Sequence, residues 1–277
     1  MKNEDNTKKL TNDTSIPVLG YGTWQNTDPQ ECIEGVENAL KVGYRHIDTA
    51  QMYGNEELVG EGIRKSGVPR EEIFLTSKLD NTNHGYEKAK QTIDESLEKL
   101  GVDYLDLFLI HWPVVDGHEE DWKQDNIETW RALEEAYEAG KLKAIGLSNF
   151  KEEHLKNLLP NSRIKPMVNQ LRLHPGVAQK AAVELSREND MVIEAWSPLS
   201  PISQMKEDDR VVKMTEKYNK SIAQLLLRYG IQKEYVVLTK SVHKDRIKEN
   251  FAIDDFEITQ EDMDYFDNFE MEGDIFM

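Results

Sequence analysis

Tyr104–Ile110 reads YLDLFLI, Asp125–Gly140 reads DNIETWRALEEAYEAG, and Ala144–Ser148 reads AIGLS. The first and last are short apolar runs of strand length. The segment between them spaces its apolar residues at helical intervals, opens on Asp125 with Glu128 three residues on, and closes on Gly140. Strand, helix, strand in that order is the βα unit of a parallel sheet. The same alternation extends in both directions. Further strands are expected near Leu19–Trp24, Tyr44–Asp48 and Phe74–Lys78 before it, and near Met167–Gln170, Val192–Trp196 and Val236–Leu238 after it. Helix starts are signalled by Asp28 before Pro29 with Glu31, and by Asn149 with Glu152, whose side chains can accept from unpaired N–H groups. Gly43, Gly101 and Gly230, like Gly140, fall where helices should stop.

Eight βα units in a chain of 277 residues fit an α/β fold of the (β/α)8 TIM-barrel type, which typically needs about 250 residues. No linker or internal repeat divides the chain, so a single domain over residues 15–277 is expected, preceded by a flexible polar tail over 1–14. A doubly wound open sheet is the competing architecture. The two differ in where reactive residues gather, since a barrel collects them at the carboxyl ends of several strands.

Composition narrows the function. Lys and Arg number 34 against 52 Asp and Glu, and the resulting net charge of −18 repels nucleic-acid phosphates and anionic membranes. No apolar run reaches the roughly eighteen residues of a membrane span, and the opening MKNEDNTKKLTNDTS lacks a signal-peptide core. A cytoplasmic protein without nucleic-acid or membrane partners is expected. With Cys32 the single cysteine, the chain has no disulfide of its own.

At or just past the expected strand ends stand Trp24, Asp48, Lys78, His111, Ser148 with Asn149, Gln170, Trp196, and Lys240 with Ser241. A polar residue after one strand is commonly a cap; an acid, an amine, an imidazole and two amides on one rim make a reactive site. Tyr53 lies five residues after Asp48. A phenol, with a pKa near 10, is a reluctant proton donor unless something stabilises its phenolate. Lys78 can do so, with Asp48 holding the ammonium and His111 orienting a substrate oxygen.

The stretch GYRHIDTAQMYGNEELVG (Gly43–Gly60) resembles the aldo-keto reductase superfamily, as do LTSKL (Leu75–Leu79), LDLFLIHWP (Leu105–Pro113), GLSNF (Gly146–Phe150), VNQLRLHP (Val168–Pro175) and KSVHKDRIKEN (Lys240–Asn250). Within it the chain is most similar to compact bacterial reductases related to the diketogluconate reductases. The resemblance implies a barrel that binds NADP(H) without a Rossmann domain, with NAD(H) as a weaker alternative. Consistently, Gly20 and Gly22 lack the third glycine of a GxGxxG loop. It also implies a catalytic tetrad of Asp48, Tyr53, Lys78 and His111, with Tyr53 the general acid for reduction of a small carbonyl compound. Ser148, Asn149 and Gln170 match positions on the nicotinamide carboxamide, Trp196 the ring stacked beneath it, and Ser197 and Leu199 further cofactor positions. Lys240, Ser241 and Arg246 match a 2′-phosphate site, with Glu249 and Asn250 near the adenine. Trp24, Met52, His111 and Trp112 match the substrate wall. A monomer and no metal are expected.

Departures from the family pattern also stand in the sequence. Thr239 replaces the proline usual before the lysine, His243 and Lys244 replace a Thr-Pro helix start, and the ending DNFEMEGDIFM from Asp267 is short. The first two bear on the preference for NADPH over NADH; the last predicts an open pocket tolerant of many carbonyls. Two other classes compete. A metal-dependent barrel hydrolase could use His46, Asp48, His111 and His243, although no HExxH is present. A non-catalytic cofactor-binding role, as in potassium-channel beta subunits or lens crystallins on this fold, would be marked by a broken tetrad.

Overall fold

The structure, a computed structural model, describes residues 6–115, 117 and 119–271. Two short strands come first, β1 (Thr7–Lys9) and β2 (Ser15–Pro17), paired antiparallel. The next eight are β3 (Leu19–Gly22), β4 (His46–Asp48), β5 (Phe74–Leu79), β6 (Leu107–Ile110), β7 (Ile145–Ser148), β8 (Val168–Arg172), β9 (Val192–Trp196) and β10 (Val236–Thr239). They close into a parallel barrel in chain order, β10 pairing back onto β3. This is the expected (β/α)8 TIM barrel. Each expected strand is present, with ends displaced by up to three residues.

The helices that return the chain are α1 (Pro29–Val42), α2 (Glu56–Ser66), α3 (Tyr86–Leu100), α4 (Trp122–Glu138), α5 (Glu152–Leu158) and α6 (Lys180–Glu188). Short α7 (Ile202–Met205) and α8 (Asp209–Tyr218) precede α9 (Ile222–Gln232), and α10 (Lys244–Phe251) and α11 (Gln260–Asp267) complete the outer layer. Among the described residues no helix is long and apolar enough to cross a membrane.

Start and stop signals are partly as expected. Asp28 caps α1 by accepting from Glu31 N at 2.9 Å. Helix α4 begins one turn earlier than expected, after Asp121, so Asp125 lies in its first turn. Asn149 does not cap α5. Its backbone is left-handed (φ 63°) and its Nδ2 donates to His111 O at 3.0 Å, so the side chain belongs to the barrel mouth. Gly230 lies within α9 instead of ending it, because a Cβ there would come 2.7 Å from Val237 Cγ2: the residue is small so that the helix can reach β10.

The amino-terminal end of the barrel is closed by the β1–β2 hairpin. Leu10 and Ile16 are buried against Phe74, Leu107, Leu109, Met167, Val168 and Val236, and Asn12 Nδ2 donates to Lys143 O at 2.7 Å. The flexible tail expected over 1–14 is therefore corrected for residues 7–14: two apolar side chains in a polar stretch are enough to seat them. Residues 1–5 of that tail lie outside the described residues. Further up the barrel, alternation points His46 and Asp48, Thr76 and Lys78, Gln170 and Arg172, and Glu194 and Trp196 inward. Gly20 on β3 makes room for this layer, since a Cβ there would approach His46 Nδ1 to 2.8 Å.

Candidate active site

Lys78 is wholly buried near the end of β5, and its ammonium has three acceptors for its three N–H donors. They are Asp48 Oδ1 at 2.6 Å, Thr49 O at 2.9 Å and Tyr53 Oη at 3.2 Å. Burial alone disfavours the ammonium, but Asp48 and Tyr53 outweigh it and the pKa ends above the ordinary lysine value. Tyr53 is raised too: burial is the larger effect, and the Lys78 ammonium opposes it. The phenol is therefore protonated at neutral pH. His111, just past β6, is held well below the ordinary histidine value by burial and then by Lys78, so its ring is neutral. Its ring and that of Tyr53 meet edge to face, with centroids 5.6 Å apart.

The loop carrying Tyr53 is fixed from three sides. Gln51 Nε2 donates to Thr92 O and Ser96 Oγ on α3, at 2.9 and 2.8 Å, and its Oε1 accepts from Asp80 N at 2.8 Å. Gly54 turns the chain at φ 65°, and buried Asn55 bridges Thr49 Oγ1 (2.9 Å) and Thr23 O (3.0 Å). Polar residues that look like loop filler in sequence thus hold the phenol beside Lys78.

Above these residues opens a cavity of about 370 Å³. Asp48, Tyr53, His111, Ser148, Asn149, Gln170, Trp196, Ser197, Leu199 and Lys240 all line it, as do Trp24, Met52 and Trp112. Trp24, Met52 and Trp112 are 42%, 44% and 37% exposed; apart from Val212 they are the large apolar side chains left exposed among the described residues. Exposed apolar groups gathered at one mouth mark a binding wall. Trp196 Nε1 donates to Asn149 Oδ1 at 3.0 Å, which fixes the indole plane beside Ser148. Gln170 Nε2 donates to Asp48 Oδ2 at 3.0 Å and to Glu194 Oε2 at 2.7 Å.

The remaining expected positions lie on the segment from Lys240 through α10. Lys240 is exposed at its edge and Arg246 is exposed on α10. Ser241 Oγ accepts from His243 N at 3.1 Å and its carbonyl accepts from Tyr21 Oη at 2.7 Å. Glu249 is exposed, whereas Asn250 is buried and donates to Thr239 Oγ1 at 2.9 Å. Thr239 therefore ties β10 to α10. The residues that a hydrolase would have used are engaged elsewhere: His46 faces Thr76 and Glu194, and Asp48 holds Lys78. Among the described residues no three His, Cys, Asp or Glu side chains gather as a metal-binding set.

Residues 18–270 match the sequence profile of the Aldo/keto reductase family. The chain belongs to that family. It is 46% identical over 261 residues to a glyoxal reductase of Bacillus subtilis, covering 94% of this chain and 91% of the relative. Among solved structures, an aldo/keto reductase from Brucella melitensis is 44% identical with a TM-score of 0.88, covering 94% of this chain and 98% of that one. An aldo-keto reductase from Bombyx mori, solved in complex with NADP, is 34% identical with a TM-score of 0.89 and covers 95% and 92% of the two chains. This aldo/keto reductase is accordingly an oxidoreductase for carbonyl reduction, of a family that uses nicotinamide cofactors.

One element of the aldo/keto reductase site was not anticipated. Glu194, inside β9, is fully buried and contacts Asp48 through Gln170. Its signal in the sequence is faint: a single carboxylate within the run VIEAW, two residues before Trp196 and therefore on the same side of the strand.

Proposed function

We propose that this aldo/keto reductase reduces small aldehydes and ketones with NADPH as its preferred hydride donor, and that Tyr53 gives the proton to the carbonyl oxygen. The observation that carries the reading is the three-way contact of the Lys78 ammonium with Asp48, Thr49 and Tyr53. When the phenol hydrogen leaves for substrate, the phenolate left behind sits 3.2 Å from a permanent positive charge. Neutral His111 can donate a hydrogen bond to the same carbonyl oxygen without competing as the acid, and can hold it within reach of Tyr53.

The donor set fits a nicotinamide. The amide side chains of Asn149 and Gln170 and the hydroxyl of Ser148 suit a carboxamide, and the Trp196 indole, its plane fixed by Asn149, offers one flat face. When bound, the cofactor supplies a hydride to the carbonyl carbon. Trp196 would hold one face of the nicotinamide ring, which would make transfer stereospecific. Lys240, Ser241 and Arg246, with N–H groups at the start of α10, suit the 2′-phosphate that distinguishes NADPH. NADH, lacking that phosphate, is the weaker donor.

On the substrate side, Trp24, Met52 and Trp112 give an apolar mouth. Among the described residues none beyond Lys240 lines the cavity, which supports an open pocket and broad carbonyl tolerance. Residues 272–277 of the short ending lie outside the described residues.

The test is Tyr53→Phe, assayed by loss of reduced-nicotinamide absorbance with a panel of aldehydes, ketones and dicarbonyls. Turnover should fall by roughly 10² to 10⁴, the usual contribution of a positioned general acid, while NADPH affinity stays nearly constant. A variant with most of its turnover intact refutes the role of Tyr53. A wild-type protein that binds NADPH and reduces no carbonyl refutes the enzyme reading in favour of cofactor binding alone.

A further inference from the structure

Glu194 has no part in the reaction described so far, yet it is wired to it. A single amide nitrogen, Gln170 Nε2, spans the two carboxyl groups of Glu194 (2.7 Å) and Asp48 (3.0 Å). Asp48 reaches Lys78 at 2.6 Å, and Lys78 reaches Tyr53 at 3.2 Å. The other Glu194 oxygen, Oε1, lies 3.5 Å from His46 Nε2 and has no hydrogen-bond partner among the described residues. Burial drives the His46 pKa down to about 3, so that ring brings no charge to the contact. The one ammonium in this layer is already held by Asp48, and two carboxylates joined by one amide in a water-poor site do not both ionise readily.

We infer that Glu194 is a positioning residue for the proton donor: as a neutral acid it leaves Asp48 the one negative charge facing Lys78, and its ionisation weakens Tyr53 as an acid through the Gln170–Asp48–Lys78 chain. The inference rests on the reading of Tyr53 as that donor. Burial first, and Asp48 second, push the Glu194 pKa up to about 8. Below that value the tetrad carries one carboxylate against one ammonium. Above it a second negative charge stabilises the protonated phenol over phenolate, in the same direction as burial already does. A weaker acid protonates the carbonyl more slowly, so reduction declines as pH rises through the Glu194 pKa.

The groups facing Glu194 across the barrel are consistent with this sign. From β4 come neutral His46 and Asp48, from the loop after β4 Tyr53, and from β5 Lys78. From β8 come the Gln170 amide and, one step towards the mouth, Arg172, whose guanidinium lies 5.9 Å from the Trp196 ring centre. The inward residues of β10 and β6, Val236 with Leu238 and Leu107 with Leu109, carry no charge, and β3 and β7 present Gly20 and Gly146 at this level. Among the described residues Lys78 is the cation hydrogen-bonded to Asp48.

The experiment follows single-turnover reduction of a small dicarbonyl with excess NADPH, from about pH 6 to about pH 10, in wild type, Glu194→Gln and Tyr53→Phe. Wild type should decline roughly three- to tenfold through pH 8, the effect of about one pKa unit on a general acid. Glu194→Gln should lose that decline, its rate near pH 10 staying within about twofold of its own rate near neutrality, and leave KM for NADPH unchanged. A decline that persists in Glu194→Gln, or an equal loss at every pH, overturns the inference and leaves Glu194 a packing residue. If Tyr53→Phe remains active, the reading of Tyr53 fails instead.

Infrared difference spectra of the wild-type protein across the same range keep the matter decidable should Glu194→Gln not fold. A carboxylic-acid carbonyl band that disappears near pH 8 is expected, and it should survive Glu56→Gln, which removes another buried acid with a raised pKa. No such band in wild type, or its loss in Glu56→Gln, overturns the assignment.

Discussion

Two cations of this chain illustrate opposite uses of positive charge. Lys78 has every donor engaged inside the protein, and its flexible stem is immobilised by complete burial, so its charge is a fixed part of the site. Arg246 is exposed on α10 beyond the cavity edge, free to meet an anion arriving from solvent. For a chain of net charge −18, a local cluster of Lys240, Arg246 and neighbouring Lys244 stands against the general repulsion of a phosphate. Replacing Arg246 by Ala should therefore weaken NADPH by roughly ten- to a hundredfold, the scale of a lost charge-assisted contact, and NADH hardly at all. Fluorescence titration with each cofactor measures this. Equal weakening of both would show that Arg246 does not read the 2′-phosphate.

At the scale of elements, α2 is seated by glycine. A Cβ at Gly60 would lie 2.2 Å from Leu100 O at the end of α3, and one at Gly62 would lie 2.8 Å from Ile33 O on α1. Such close approach matters because α2 continues directly from the loop that presents Tyr53. Gly60→Ala gains about 1 kcal/mol of helix propensity, but its methyl group meets backbone that cannot rotate away, and overpacking of this kind costs about 1–3 kcal/mol. The expected result is a lower thermal midpoint than wild type and than Gly67→Ala, where φ is +71° but nothing lies within 4 Å. A Gly60→Ala protein as stable as wild type would show that α2 and α3 can part freely. The sequence made the barrel strands legible because buried parallel strands are nearly continuous apolar runs, as in LFLI of β6. It made Asp48, Lys78 and His111 legible because they interrupt or follow such runs at their carboxyl ends. It hid the β1–β2 hairpin, whose strands TKK and SIP hold one buried apolar residue, Ile16, between them. It misdirected Asn149 and Gly230, since amide and glycine serve caps elsewhere and only tertiary contacts assign them to a cavity and a helix–strand contact here. Glu194 escaped because a strand with one inward carboxylate reads, residue by residue, as a strand.

Across the whole molecule the two ends of the barrel divide the work. The six residues of β5 span on the order of 20 Å, with Phe74 packed in the amino-terminal plug and Lys78 beside the cavity. The plug is apolar and closed; the opposite end sets polar groups beneath an apolar mouth, is lined from seven of the eight barrel strands or the segments that follow them, and is open. Disturbing one end should leave the other intact, because the barrel between them is a packed solid and not a channel. Ile16, buried completely in β2, tests this separation. Ile16→Ala removes three carbons from the plug and should cost about 2–4 kcal/mol, since the surrounding strand ends are held by their ladders and collapse little into the space. That corresponds to a thermal midpoint lower by several degrees for a chain of this size. At temperatures well below the midpoint, kcat and KM for a carbonyl substrate should stay within about twofold of wild type, because no contact of Asp48, Tyr53, Lys78 or His111 passes through Ile16. A large change in kcat at full folding would mean that the amino-terminal hairpin and the Tyr53 site are coupled through the barrel, and that the plug is part of the catalytic apparatus.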